Sequence, residues 1–133
     1  MIPEQIPGAA THEEKTAAFR RGVEQFNAGE FWEAHESWEI VWLPAPEPDK
    51  TFLQGIIQVS AGFHHHTKNN AAGARSLLRR GLDKLERFPD GYRGLRLEEL
   101  RTAARAWLAA IESGNSTTQG TFPQIRDAVA SPK

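Results

Sequence analysis

Hydrophobic positions recur at the spacing of an α-helix along most of this chain. In the first segment Phe19, Val23 and Phe26 stand at i, i+4 and i+7, which places them on one face of a helix. Thr11 and Glu14 precede them with the form of a capping box, a pattern typical of a helix N-terminus. The "NAG" that follows ends the periodicity. The first predicted element is therefore an amphipathic helix.

Four further helices are predicted from the same periodicity and from the residues that interrupt it. The prolines of "PAPEP" end the second helix and the turn "FPDGYRG" ends the fourth, because proline and glycine rarely continue a helix. The second helix is expected at about residues 30–43 and the fifth at about residues 97–112, with Gly114 as its C-cap. The third is expected to have Asp49 as its N-cap, and the fourth to begin near Asn70.

The predicted fold class is all-α, a single-domain bundle of about five helices that includes the whole chain, 1–133. Its length suits one hydrophobic core, and the ordered part is expected at about 11–114. From 115 to 133 the sequence is polar and predicted to be mostly irregular. Only Phe122 and Ile125 offer that segment a hydrophobic anchor.

The second predicted helix, within "FNAGEFWEAHESWEIVW", mixes polar and large aromatic residues. At about 100° per residue, His35 shares with Trp38 the face that meets the core. Glu39 lies one turn from His35 on the flank of that face, so these two form the best local pair. Trp32 lies off the face, where it suits a pocket or a partner groove, and Glu36 turns further toward the opposite side.

A polar stripe follows the third predicted helix, where Gln54, Gln58 and His65 share one sector of an otherwise apolar helix. The triplet "HHH" at 64–66 looks like a metal chelate. Consecutive helical residues point about 100° apart, however, so at most one of the three can join a given site. The short "PAPEPDK" connection favours antiparallel packing, which would bring His35 and His65 together across the interface.

The two segments together resemble a known family. "FNAGEFWEAHESWEIVW" followed by "FLQGIIQVSAGFHHHTKNNAAGARSLLRRGLDKLE" is similar to the domain-of-unknown-function family 309, small all-helical proteins of bacteria and archaea. The resemblance covers about residues 19–85. The motif positions in this chain are His35, Glu36, Trp38, Glu39, Gln54, Gln58, His65 and Asn70. The chain departs from the pattern in its three histidines and in Asn69, where a glycine is expected.

The resemblance implies a metal-dependent hydrolase, an activity conjectured for the family, with a divalent metal such as Zn or Mn as cofactor. Imidazole and carboxylate groups on facing helices can hold such an ion and acidify a bound water. The expected ligands are His35, Glu39 and His65, with Glu36 as general base, Gln58 as a further catalytic contact, and Trp32, Gln54 and Asn70 lining the pocket. "HESWE" lacks the second histidine of H-E-x-x-H, and His12 is only a remote candidate for a third nitrogen ligand.

The alternative interpretation needs no metal. Buried imidazoles, carboxylates and amides require hydrogen-bond partners, and a closed network of His35, Glu39 and Gln58 would supply them. The protein would then be a non-catalytic helical scaffold or protein-interaction domain. Its partner, a small molecule or another protein, is not specified by the sequence.

Composition narrows the classes of partner. The absence of cysteine excludes thiolate metal sites and disulfides. The net charge of -1 combines -6 over residues 1–66 (4 basic, 10 acidic) with +5 over residues 67–133 (12 basic, 7 acidic). A pI of about 6.5 argues against a dedicated nucleic-acid module. The start shows no signal-peptide pattern and no stretch is long and apolar enough to span a membrane, so a cytoplasmic protein is expected.

Overall fold

The structure, a computed structural model, describes residues 10–114 and 121–128. It contains α1 (His12–Asn27), α2 (Phe31–Trp42), α3 (Asp49–Thr67), α4 (Ala71–Leu85), a 3-10 turn (Tyr92–Gly94) and α5 (Leu97–Glu112). Helices adjacent in sequence pack against each other, and α3 lies between α2 and α4. The predicted all-α bundle of five helices is confirmed.

The helix termini agree with the sequence except at the start of α3 and at the end of α5, where Ser113 is the C-cap and the predicted Gly114 follows it with a positive φ of 78°. Thr11 and Glu14 form the expected capping box, with the Thr11 hydroxyl accepting from the Glu14 N–H at 3.0 Å. Asp49 was expected to cap α3, and this prediction is wrong. Its carboxylate instead accepts from the guanidinium of Arg93 at 2.9 Å. The N-terminal turn of α3 is capped by Glu47, whose carboxylate accepts from the Thr51 N–H at 3.0 Å.

Trp38 is fully buried at the contact between α1 and α2. Its indole N–H donates to the carbonyl of Phe19 at 3.1 Å, so the one polar group of the side chain is satisfied. The ring fills a notch at Gly22, where a Cβ would lie 2.3 Å from the indole nitrogen. The predicted core face of α2 is therefore correct, and a glycine on α1 makes room for it.

Helices α3 and α4 approach each other with their backbones in contact. A Cβ on Gly81 of α4 would lie 2.7 Å from the carbonyl oxygen of Gly55 on α3. Real Cβ atoms do not come so close, so only glycine permits this separation between the two helices. α3 consequently has ten buried residues, more than any other helix described here.

A buried arginine, which the sequence analysis did not single out, links α5 to the end of α4. The Arg101 guanidinium donates to the carbonyls of Leu85 at 2.6 Å and Phe88 at 2.8 Å, and to the carboxylate of Glu98 at 2.8 Å. The last carbonyls of a helix lack partners within the helix and carry its negative dipole end. Arg101 therefore satisfies the C-terminus of α4 and holds the following turn.

The described part of the C-terminal segment, 121–128, lies along the bundle and contains no helix. Ile125 is bound through its backbone N–H and carbonyl to the side-chain amide of Asn27, at 2.7 and 2.9 Å. Phe122 stacks on Trp107, with ring centroids 4.6 Å apart. Both predicted anchors are confirmed. The predicted irregular structure at 115–120 and 129–133 lies outside the described residues.

Membrane-spanning helices are absent from the described residues, since none of the helices there combines the necessary length with the necessary hydropathy.

Replacing Trp38 tests the importance of the α1–α2 contact. Trp38→Ala removes a fully buried aromatic side chain and should lower the free energy of unfolding by roughly 3 to 5 kcal/mol. Arg79→Ala is the control, because Arg79 is exposed and pairs with Glu112 on the surface, where such a pair contributes about 1 kcal/mol or less. Chemical denaturation measures both values. Equal stability of the two variants would contradict the assigned core.

Candidate functional site

The predicted site lies where α2 and α3 pack antiparallel. The Ser60 hydroxyl, late in α3, donates to the carbonyl of Phe31 at the start of α2 at 2.7 Å. The Lys50 ammonium, early in α3, donates to the carbonyl of Trp42 at the end of α2 at 3.1 Å. The two helices therefore run in opposite directions, as the short connection predicted.

His35 and Glu39 form the pair expected from their spacing. The imidazole Nε2 lies 3.1 Å from a carboxylate oxygen of Glu39, and the side chains are 14% and 50% exposed. Because the carboxylate accepts, Nε2 carries the proton in the neutral ring. Nδ1 is buried without a hydrogen-bond partner among the described residues. The Trp32 ring covers the imidazole, with centroids 4.4 Å apart.

The histidine of α3 that faces α2 is His64, whereas His65 was expected there. The His64 ring lies 5.0 Å from the ring of Trp32, so Trp32 is sandwiched between His35 and His64. Desolvation, followed by the positive charge of Lys68, lowers the pKa of the His64 imidazole. The neutral ring is thereby favoured against the tryptophan.

His65 points toward the start of α4. Asn70 is the N-cap of α4, and its side-chain oxygen accepts from the Gly73 N–H at 3.0 Å. Its amide nitrogen lies 3.0 Å from Nδ1 of His65. Since the amide nitrogen is a donor, Nδ1 accepts and the proton of the neutral ring is on Nε2. His65 thus holds the cap between α3 and α4.

The three remaining members of the predicted site make no common cluster. Gln58 accepts from the Lys84 ammonium of α4 at 3.0 Å. Gln54 is half-buried on the same helix, and Glu36 is exposed. The polar stripe of α3 therefore serves contacts with α4 at Gln58, away from the His35–Glu39 pair on α2.

Of the three expected metal ligands, His35 and Glu39 lie together and His65 is bonded elsewhere. Among the described residues, no group of three or more His, Asp or Glu side chains is placed to hold a metal ion. His35 and Glu39 supply two donors, and His65 is engaged with Asn70. His12, the remote candidate, lines a separate cleft of about 230 Å³ beside Lys15 and the Asp49–Arg93 pair.

Comparison with known proteins finds a family model that matches part of the chain. Residues 19–77 match the model of DUF309, described as a domain of unknown function. The predicted family resemblance is confirmed. An uncharacterized protein of Aquifex aeolicus (strain VF5) is 31% identical over 91 residues, which make up 68% of this chain and 27% of that protein. The chain therefore spans well under two thirds of the length of this relative.

A surface within the DUF309 match contains two residues, Ile40 and Leu43, that the sequence analysis missed. We call it the α2 outer face, and its residues are Trp32, Glu36, Glu39, Ile40 and Leu43. Trp32, Ile40 and Leu43, exposed by 42%, 42% and 70%, are the exposed large hydrophobic residues of the described chain. The helical wheel of α2 carried the signal, since these positions lie away from the core face. Ile40 and Leu43 neighbour each other at i+3, and Glu36 lies between Trp32 and Ile40, four positions from each.

The tautomer of His65 tests its assigned role. We expect nitrogen NMR of the wild type to show His65 protonated on Nε2 and unprotonated on Nδ1. In Asn70→Asp both side-chain oxygens accept, so the cap on Gly73 is kept while the proton of His65 moves to Nδ1. Asn70→Ala removes the cap as well and should cost about 1 kcal/mol. A wild-type His65 protonated on Nδ1 would contradict the assignment.

Proposed function

We propose that the protein is a non-catalytic, protein-binding helical domain that binds its partner through the α2 outer face. The observation that carries this proposal is the gathering of Trp32, Ile40 and Leu43, exposed, on one side of one helix. Single exposed hydrophobic residues are normal on a protein surface, but neighbouring ones mark interaction sites. A half-exposed tryptophan in such a patch is typical of residues that dominate binding energy.

The contacts of two residues of the predicted site, the expected metal ligand His65 and the expected catalytic contact Gln58, support the same proposal. His65 is bonded to Asn70, and Gln58 to Lys84. Each bond joins α3 to the start or the body of α4, so each has a structural reason to exist. A polar residue that already has its partners in the fold needs no substrate to explain it.

The size of the relative is also consistent with a binding module. The aligned segment makes up 27% of the Aquifex aeolicus protein, so there the similar region is one part of a longer chain. A region that is one part of a longer chain can serve as a module beside other domains.

A metal-dependent hydrolase is the second proposal, favoured by the His35–Glu39 pair, which offers an imidazole nitrogen and a carboxylate oxygen on adjacent turns. Catalytic zinc sites use three protein ligands and an open position. The described residues supply two, so the donors present do not complete such a site. We therefore derive no chemical step through a metal.

Site-specific photo-crosslinking in the cells that naturally make the protein tests the binding proposal. A photo-reactive amino acid at Ile40 should capture one protein repeatedly, because Ile40 lies in the α2 outer face. The same amino acid at Ala106, exposed on α5, should not capture it. Leu43→Ser should reduce capture at Ile40, whereas Ala109→Ser, also exposed, should not.

The outcomes are decisive in both directions. Capture of the same protein at Ile40, sensitive to Leu43→Ser and absent at Ala106, supports the proposal. Equal capture at Ile40 and Ala106, or none at Ile40, overturns it.

Metal content separates the two proposals. For a binding domain we expect purified protein with no stoichiometric metal and a melting temperature that neither EDTA nor added Zn or Mn changes, because an ion that binds only the folded state would raise it. The variants are His35→Ala and, as control, His12→Ala in the separate cleft. Bound metal that is lost in His35→Ala and kept in His12→Ala would favour the hydrolase.

A further inference from the structure

The α2 outer face is acidic as well as apolar. Glu36 lies at its centre, with Glu39 one turn away and Glu33 at its edge, and α2 contains no lysine or arginine. Glu39 is paired with His35, whereas the ion pairs formed among the described residues include neither Glu33 nor Glu36. Glu33 lines the same cleft as Lys68, so Glu36 is the carboxylate that stands beside exposed hydrophobic side chains with no cation of the described residues in the same cleft or ion pair.

Cations occur at the two ends of this face but not within it. Lys50 lies 4.4 Å over the Trp42 ring and donates to the last carbonyls of α2, so it is engaged in capping the helix. Lys68 lies at the opposite end, beside Trp32 and His64 in a cleft of about 380 Å³. The central part of the face is therefore the region that attracts positive charge.

A second copy of this chain fits the face poorly. A twofold contact of α2 with itself would place Glu36 near the Glu36 of the other copy, and such like-charge contacts are costly. The basic α4 is no better, since several of its cations are already bonded, Arg79 to Glu112 and Lys84 to Gln58. It also presents no exposed large hydrophobic residue among those described.

We infer that the partner offers a basic amphipathic helix, with hydrophobic residues at both ends of its contact face and lysine or arginine between them. This inference rests on the proposed function and names the partner class of the same surface. Trp32 and Ile40 stand about 12 Å apart along α2 at 1.5 Å per residue. Two side chains seven or eight positions apart on a partner helix span the same distance.

The charge pattern of the partner follows from the same geometry. Glu36 lies four positions after Trp32, so residues three and four positions after the first hydrophobic anchor of the partner would face its carboxylate. A partner helix placed in this way buries apolar surface at both ends. The charge of its central residues determines whether the α2 outer face binds it. A nucleic acid is excluded on the same ground, because its phosphates would meet the carboxylates.

A charge exchange between protein and peptide tests the inference. The probe is a helical peptide with leucines at i, i+7 and i+11 and lysines at i+3 and i+4, and its matched control carries glutamates in place of the two lysines. We expect wild-type protein to bind the lysine peptide about tenfold more tightly than the glutamate peptide at low salt, with the difference falling as salt is added. Titration calorimetry measures both affinities.

Two variants complete the design. Glu36→Lys should reverse the peptide preference, because it replaces the central carboxylate with a cation. Arg79→Glu, which changes a charge on α4, should leave the preference unchanged. Circular dichroism confirms that each variant is folded.

Failure of the inference can be distinguished from failure of the proposed function. If both peptides bind equally, or neither binds while crosslinking at Ile40 captures a partner, the surface binds a partner of another class and only the inference is wrong. If neither peptide binds and crosslinking also fails, both are wrong. Dimerisation that Leu43→Ser abolishes would likewise overturn the inference, since a second copy would then occupy the face.

Discussion

Two helix backbones touch at Gly55 and Gly81, and the arrangement of the bundle depends on this contact. It brings α3 and α4 so close that no side chain would fit between them at this point. Because α3 is then covered on one side by α4 and on the other by α2, its polar residues must find partners at those two interfaces. Ser60, bonded to the Phe31 carbonyl, and Gln58, bonded to Lys84, are examples. On the side of α2 that α1 and α3 leave uncovered, Trp32 and Ile40 remain exposed.

Much of the fold could be predicted because the limits of the helices depend on local sequence patterns. Periodicity, a capping box at Thr11 and Glu14, and turn residues specify where helices begin and end. The N-terminus of α3 was misplaced for a physical reason. Asp49 is a good cap by residue type, but a distant arginine, Arg93, takes its carboxylate. Contacts between residues far apart in sequence leave no trace in a local pattern, and Arg101 was overlooked for the same reason.

The candidate site could be predicted only in part. The spacing of His35 and Glu39 is a property of one helix, so their pairing was foreseeable. The choice between His64 and His65 depends instead on the rotation of α3 about its axis, which is set by packing across two interfaces. A rotation of about 100° per residue decides which imidazole meets Trp32. The exposed apolar residues could be placed on the helical wheel, but Ile40 and Leu43 carry no polar or ionisable group and belong to no catalytic motif.

The C-terminal segment shows that the family match and the hydrophobic core end at different residues. The match to DUF309 ends at residue 77, inside α4, whereas the core continues through Trp107 to Phe122, whose ring also packs against Phe31 and Phe63. A fragment cut at the family boundary would expose those two phenylalanines to water and would lose Gly81 from the α3–α4 contact. The stretch that matches the family model is therefore shorter than the stretch that forms the hydrophobic core. Any gene fusion that transplants this domain must carry the longer one.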